Sequence, residues 1–355
     1  MTEASHSGRP AQSLVVANSA FNLFVGLALA AAENGPVHLL AADRGASTRR
    51  WLDAIQNLGL FASTTTFRRD LEGRSSIGKF RSIARNVRLT RRLIDQLRPS
   101  QVLIGNDRVP TCQAAMTAAA AIGARQTYFD EGTNCYGLFP EPSSSALTRF
   151  VLRTIVGQGY VESATNGTRP GPHQRLRFFP DLVANDPLAA SLPRGIFESD
   201  IFRHLVAACL DTTGVAAAIA AAGTRPRALV LPSHSESVTD RDCHTAFQAS
   251  LRQRLTDCGY AVIAKRHPRE QRTGSPGAHI DVEQSIPAEA LLIDPRTRPR
   301  IVVGDLSTCL FFSRWLAPER RVYSTTQAVR DLTTPEQRLL DVLRIPSVKS
   351  PSEIA

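Results

Sequence analysis

A chain of 355 residues, 43% hydrophobic and 21% charged, can bury two domain cores and is not disordered overall. No apolar run reaches the roughly 18 residues that span a bilayer; the nearest, at 25–32, is followed by Glu33, Asn34 and Gly35, and the polar residues 1–12 lack the basic start and apolar core of a secretory signal, so a cytoplasmic protein is expected. The net charge of +10 is carried almost wholly by arginine, with Lys79, Lys265 and Lys349 the three lysines, and favours acidic partners: phosphates, acidic sugars, anionic lipid or nucleic acid.

Strand-like and helix-like segments alternate from the start. Residues 13–18 read as an apolar strand, 21–33 as an apolar helix, 37–42 as a strand and 47–58 as a helix. A basic helical stretch at 80–97 leads into a strand at 101–104, an Ala-rich helix at 112–122 and a strand at 125–129. From Glu131 the pattern breaks, and 136–145 and 163–173, rich in Gly, Pro, Ser and Asn, read as loops. Alternation resumes with a long helix at 201–221, a strand at 228–231, a helix at 243–258, strands at 260–264 and 300–303, a helix opening near Ser307 and a closing helix at 335–343. This order predicts parallel sheets covered on both faces, in two αβ halves joined through a Pro-rich region near 179–194.

The six cysteines, Cys112, Cys135, Cys209, Cys243, Cys258 and Cys309, form no C-x-x-C pair. A zinc site of the usual spacing is not expected, and buried free thiols are.

In open α/β sheets ligands sit beyond the carboxyl ends of strands, and three polar clusters follow strands here. Asp130-Glu131-Gly132-Thr133 places two acids and a turn-forming glycine after the strand at 125–129. Adjacent enclosed carboxylates repel, which raises one pKa and suits a general base; a solvated turn with Glu131 capping the next helix is the plainer reading. Lys265-Arg266-His267-Pro268 sets a histidine and two cations after the strand at 260–264, where a phosphate would be attracted; an exposed basic turn is the alternative. Gly304-Asp305-Leu306-Ser307-Thr308 puts two hydroxyls at a helix start, either a phosphate site or an ordinary N-cap.

In this order the clusters resemble the bacterial sialyltransferases, especially the capsular polysialyltransferase and lipooligosaccharide sialyltransferase families, which carry an acidic-acidic-Gly motif, an HP motif and a Ser-Ser/Thr motif. Residues 14–22 and Ile286-Pro287-Ala288-Glu289 are similar as well, and the resemblance spans 13–315. It implies an α/β GT-B architecture, two Rossmann-like domains with parallel sheets facing a central cleft. Residues 1–190 would form the acceptor domain carrying the base, and 191–355 the CMP-binding domain. It implies inverting transfer of sialic acid from CMP-sialic acid to a glycan hydroxyl of a surface polysaccharide or glycolipid, with no metal and no other cofactor. By the same resemblance Asp130 is the first candidate base and Glu131 the second. His267, beside Pro268, would contact the CMP phosphate as general acid or electrostatic stabiliser, Ser307 and Thr308 would bond the same phosphate, and Glu289 would bond the cytidine or ribose.

Other residues are weighed by position. Lys265, Ser233 and Ser235 follow strands of the second half and are donor-side candidates, the serines equally able to cap a helix. Asn18 and Ser19, with Gly132 and Thr133, are acceptor-side candidates, the first two equally a helix cap. Residues 67–98 hold nine arginines and Lys79 against Asp70, Glu72 and Asp95. Arg81, Arg85 and Arg88 there would form a track for an acidic acceptor or dock on anionic lipid at the inner membrane face, against the plainer reading of a solvated helix face. With few aromatics interleaved, no nucleic-acid partner is expected. Two further functions compete: a transferase using another nucleotide sugar, such as a CMP-linked octulosonic acid, and a non-catalytic glycan- or phosphate-binding protein on this scaffold.

Overall fold

The computed structural model describes residues 11–43, 46–68, 75–137, 144–163, 165–183, 186–232, 240–267, 280–283 and 286–354. The chain divides into two compact units, 1–45 with 55–130 and 141–192, and 46–54 with 131–140 and 193–355. The division is not a single cut near residue 190, because two short segments of the N-terminal half group with the second unit.

The first unit is built on seven strands: β1 (Ser13–Ala17), β2 (Val37–Asp43), β3 (Ser63–Arg68), β4 (Gln101–Ile104), β5 (Arg125–Phe129), β6 (Gln174–Arg177) and β7 (Ala189–Ser191). They pair in the order β3-β2-β1-β4-β5-β6-β7, every pair parallel. Parallel neighbours need helical crossovers, supplied by α1 (Ala20–Ala31), α2 (Ala46–Asn57), α3 (Ser76–Leu97), α4 (Pro110–Ala121) and α5 (Ala146–Val156). β1 is buried at all five positions, as an uninterrupted apolar strand of a doubly covered sheet should be. α3 is amphipathic: Val87, Thr90 and Ile94 are buried, while Arg81, Arg85, Arg88 and Arg92 recur along one exposed face. Packing of α3 with α4 and α5 buries Val87, Ala114, Leu152 and Val156 together, each contributing on the order of 1–3 kcal/mol.

The second unit carries β8 (Arg227–Leu231), β9 (Ala261–Lys265), β10 (Ile280–Val282), β11 (Ile301–Gly304) and β12 (Arg321–Ser324) in the order β10-β9-β8-β11-β12, again wholly parallel. Its helices are α6 (Gly195–Glu198), α7 (Asp200–Asp211), α8 (Val215–Ala221), α9 (Arg241–Asp257), α10 (Ala288–Ile293), α11 (Thr308–Leu316) and α12 (Thr334–Val342). Phe197, Phe202, Phe312 and Trp315 meet at ring separations of 5.2–5.7 Å and join α6, α7 and α11. Both sheets reverse strand order beside their first strand, at β1/β4 and at β8/β11, where open α/β sheets take ligands.

The expected long helix at 201–221 is broken into α7 and α8, bent by 82°. Thr212 and Thr213 turn their hydroxyls back onto the carbonyls of Cys209 and Leu210, and Gly214 adopts φ +70°, which ends the helix. Among the described residues no single helix is long and apolar enough to cross a membrane. Cys112, Cys135, Cys209 and Cys309 are buried free thiols, but Cys243 and Cys258 are exposed.

Gly304 fixes how tightly β8 and β11 approach at the reversal. A Cβ there would lie 2.5 Å from Leu231 Cβ and 2.8 Å from its carbonyl oxygen, a backbone atom that cannot swing aside. Gly304→Ala is expected to lower the unfolding free energy by about 1–3 kcal/mol through overpacking, read from urea denaturation of the full chain.

Candidate active site

The acidic turn divides the roles of its two carboxylates. Asp130 is fully buried: Oδ1 accepts from Arg177 Nη1 at 3.1 Å and Oδ2 from the Phe178 N–H at 2.9 Å. Arg177, also fully buried, donates further to the Gly167 carbonyl at 2.9 Å and to Asp186 at 3.3 Å, and its guanidinium lies 5.5 Å from the centre of the Tyr128 ring. Arg175 reaches Asp186 at 2.7 Å. Asp130 thus ties β5 to β6 and the loop at Gly167 inside the first unit, with both oxygens spent on protein donors. Arg177 lies 47 residues from Asp130 in a short, polar-looking segment, and no local pattern in the sequence singles it out. Burial would raise the Asp186 pKa, but Arg175, the Leu188 N–H and Arg177 outweigh it and hold the carboxyl below its ordinary 3.8.

Glu131, half-buried, begins the segment that groups with the second unit. Its N–H donates to Cys135 Sγ at 3.3 Å, and Gly132 and Thr133 lead into the one-turn 3₁₀ helix Thr133–Tyr136, Thr133 being buried. Gly132 sits at φ +108°, ψ −143°, a region closed to other residues. A Cβ on it would come within 2.8 Å of Thr308 Cβ. The acidic-Gly turn is therefore packed directly on the Ser-Thr motif.

Ser307 is the N-cap of α11: its Oγ accepts from the Leu310 N–H at 3.3 Å, which leaves its own hydroxyl proton to donate. Thr308 opens the helix and is half-buried. Asp305 Oδ1 accepts from the Leu306 N–H at 2.8 Å and from the Thr326 hydroxyl, and the Thr325 N–H bonds the Gly304 carbonyl at 2.8 Å. The turn after β11 is thus held by the chain leaving β12.

Lys265 ends β9, two strand spacings (about 10 Å) from β11 in the same sheet, and His267 follows two residues later. His267 is half-buried. Lys265 is buried, its Nζ donating to the Arg266 carbonyl at 2.7 Å, while Arg266 pairs with Asp281 at 3.2 Å. Burial brings the Lys265 amine down to about 8, against the opposing pull of Glu289. Burial likewise raises the Glu289 carboxyl, with Lys265 opposing.

The remaining candidates divide. Arg81, Arg85 and Arg88 share the exposed face of α3. Asn18 is buried and donates to Cys112 Sγ of α4 at 2.7 Å, and Ser19 caps α1 by accepting from the Asn22 N–H at 3.0 Å. Ser233, Ser235, Pro268 and His279 lie outside the described residues. Of the other histidines, His173 accepts from the Gln126 N–H and His204 bonds the Asp200 carbonyl. Among the described residues no group of three or more His, Cys, Asp or Glu side chains could hold a metal ion.

Arg177→Met leaves Asp130 and Asp186 without their shared cation and is expected to cost about 3–5 kcal/mol in denaturant unfolding. Because the Asp186 pKa is depressed in the fold, its contribution is present above its unfolded value and lost as pH falls through the lower folded one. The stability difference between wild type and Asp186→Asn should therefore shrink as pH is taken below 3.8.

A search of curated proteins finds no match to the sequence. Among solved structures the chain is similar to UDP-GlcNAc 2-epimerase from Methanocaldococcus jannaschii, at 11% identity over 96% of this chain and 90% of that one, with a TM-score of 0.55. It is similar to UDP-GlcNAc 2-epimerase from Neisseria meningitidis bound to UDP-GlcNAc, at 13% over 97% and 89%, TM-score 0.52. It is also similar to Glycyrrhiza uralensis UGT73P12 complexed with glycyrrhetinic acid 3-O-monoglucuronide, at 11% over 88% and 81%, TM-score 0.51. At these identities the likeness is one of fold: α/β, of the GT-B type, with two parallel sheets and their helices. The family model described as alpha-2,8-polysialyltransferase (POLYST) matches residues 64–326, well over half of the chain and a span that contains all three motifs. The chain belongs to the alpha-2,8-polysialyltransferase family and is a glycosyltransferase.

Proposed function

We propose that the protein is an inverting, metal-independent sialyltransferase that moves sialic acid from CMP-sialic acid to a glycan hydroxyl, with Glu131 as the general base. The observation that carries this reading is the packing of Gly132 on Thr308, which brings a carboxylate-bearing turn against the helix start suited to a phosphate. Asp130 is the weaker base, because both its oxygens already accept hydrogen bonds in a dry ion pair. In the step, Glu131 takes the acceptor hydroxyl proton as that oxygen bonds to the anomeric carbon. The bond from the anomeric carbon to the CMP phosphate breaks, and its electron pair leaves on the phosphate oxygen. His267, Ser307, Thr308 and Lys265 stabilise that growing charge, and Glu289 bonds the nucleoside. The second unit then binds the donor. The first unit binds the acceptor, with Arg81, Arg85 and Arg88 attracting an acidic chain, and Thr133 lies near the base in the segment that groups with the second unit. The same basic face serves peripheral contact with anionic membrane at the cytoplasmic side.

The purified full chain, given CMP-sialic acid and an oligosialic acceptor, should release CMP and lengthen the acceptor equally with and without EDTA. Glu131→Gln should lower kcat by about 10²–10⁴ and His267→Ala by about 10²–10³. No CMP release with any acceptor, while UDP-GlcNAc is consumed, would overturn the donor assignment; loss of activity in EDTA would overturn the metal-free one.

The pH dependence follows from Lys265. Its positive charge is lost as pH rises through about 8, so kcat/KM for the donor should fall above that pH. Lys265→Arg, charged throughout, should flatten the fall.

A further inference from the structure

The second sheet carries an unbalanced charge at the edge away from the HP and Ser-Thr motifs. Those motifs follow the carboxyl ends of β9 and β11; the amino end of β11 is four residues, about 13 Å, away. There β8 opens on Arg227, β11 is preceded by Arg300 and β12 by Arg320. β11 pairs Ile301 with Ala228 of β8 on one side and with Arg321 of β12 on the other. One residue earlier, Arg227, Arg300 and Arg320 therefore stand at one level across three neighbouring strands, about 5 Å apart, and the Arg300 N–H donates to the Arg227 carbonyl at 2.8 Å. Ala228, Val230, Ile301 and Val303 share a core with Leu251 and Leu255 of α9, so strand alternation turns Arg227 and Arg300 to the opposite face.

No acid among the described residues balances this row. Neither the Arg227 nor the Arg300 guanidinium makes a hydrogen bond or an ion pair there, and the buried Arg227 Nε has no partner. Arg320 is 7% exposed and donates from Nη1 to Ser313 Oγ at 3.1 Å. Burial, and after it the Arg298 charge, brings its guanidinium down to about 10; Glu319, next to it in the chain, pulls weakly the other way and forms no ion pair with it. Like charges opposed on neighbouring strands destabilise a sheet. The plainer role of such arginines is to bond the last carbonyls of helices, and Arg298 does so, donating to the Ile293 carbonyl at the end of α10 at 3.3 Å. Arg227 and Arg300 make no such bond, so that role leaves both unexplained.

A guanidinium presents a planar fork of N–H donors that matches two oxygens of a phosphate, and several of them around one anion suit its double charge better than the single charge of a carboxylate. We propose that the amino edge of the second sheet binds a phosphate group, held by Arg227 and Arg300 with Arg298 and Arg320 supplying the charge around it. This site is separate from the donor phosphate of the transferase reading, which lies at the opposite edge, so the two stand or fall apart.

The full chain is titrated by calorimetry with inorganic phosphate, with glycerol 3-phosphate and with acetate, at an ionic strength held constant with chloride. Either phosphate should bind about tenfold or more tightly than acetate, and the tighter of the two tells a free ion from a lipid-type headgroup as the source. Arg300→Gln and Arg227→Gln should each weaken phosphate by about tenfold, as loss of one charged hydrogen bond does. Arg92→Gln, which removes an equal charge from the exposed face of α3, should change nothing. His267→Ala, at the opposite edge, should leave a phosphate site that still responds to Arg300→Gln. In phosphate-free buffer Arg300→Gln should keep the melting temperature or raise it, because a repulsion is removed; an arginine serving the fold alone would lower it. Acetate bound as tightly as phosphate, an equal loss in Arg92→Gln, or phosphate affinity that vanishes in His267→Ala and stays at the wild-type value in Arg300→Gln would overturn the proposal. The exposed Arg300 decides the matter even if Arg227→Gln does not fold.

Discussion

One guanidinium holds the end of β5 in place within the first unit. Arg177 has no exposed surface, yet it bonds Asp130, Asp186 and the Gly167 carbonyl and lies against the Tyr128 ring. A charge so placed is tolerable only because each partner compensates its lost hydration. The consequence is positional. Asp130 follows β5 with both oxygens accepting hydrogen bonds, and the next residue, Glu131, begins the turn with Gly132.

That arrangement also shows where a sequence stops being informative. β1, β4, β8 and β11 are legible because a strand buried on both faces must be an unbroken apolar run, and the motifs are legible because they follow such runs. β3, with three consecutive threonines, and β6, with the sequence QRLR, carry no such run and are strands only because a parallel neighbour pairs with them. The two acids of the turn look interchangeable in the sequence. They differ because Arg177 reaches one of them from across 47 residues, a contact that only the register of β5 on β6 creates. The break between α7 and α8 has local causes, two threonine hydroxyls and one glycine, but an apolar pattern continues through it.

The second unit illustrates how a charged site is kept from collapsing into salt bridges. Lys265 and Glu289 sit in apolar surroundings where both ions are disfavoured, the amine lowered and the carboxyl raised, each through burial first. Cys309 nearby is driven firmly to its neutral thiol by the same burial. With its amine brought down to about 8, Lys265 can respond to an incoming anion by taking up a proton rather than by moving.

The contact of Gly132 with Thr308 links stretches of chain 176 positions apart into one packing unit. Its evolutionary consequence is a ratchet on the order of change. A larger residue at 132 meets both the forbidden backbone region and the threonine branch, so no single substitution there is neutral. At 308, by contrast, trimming to serine removes only a methyl group and keeps the hydroxyl. Variation should therefore accumulate at position 308 while Gly132 stays invariant.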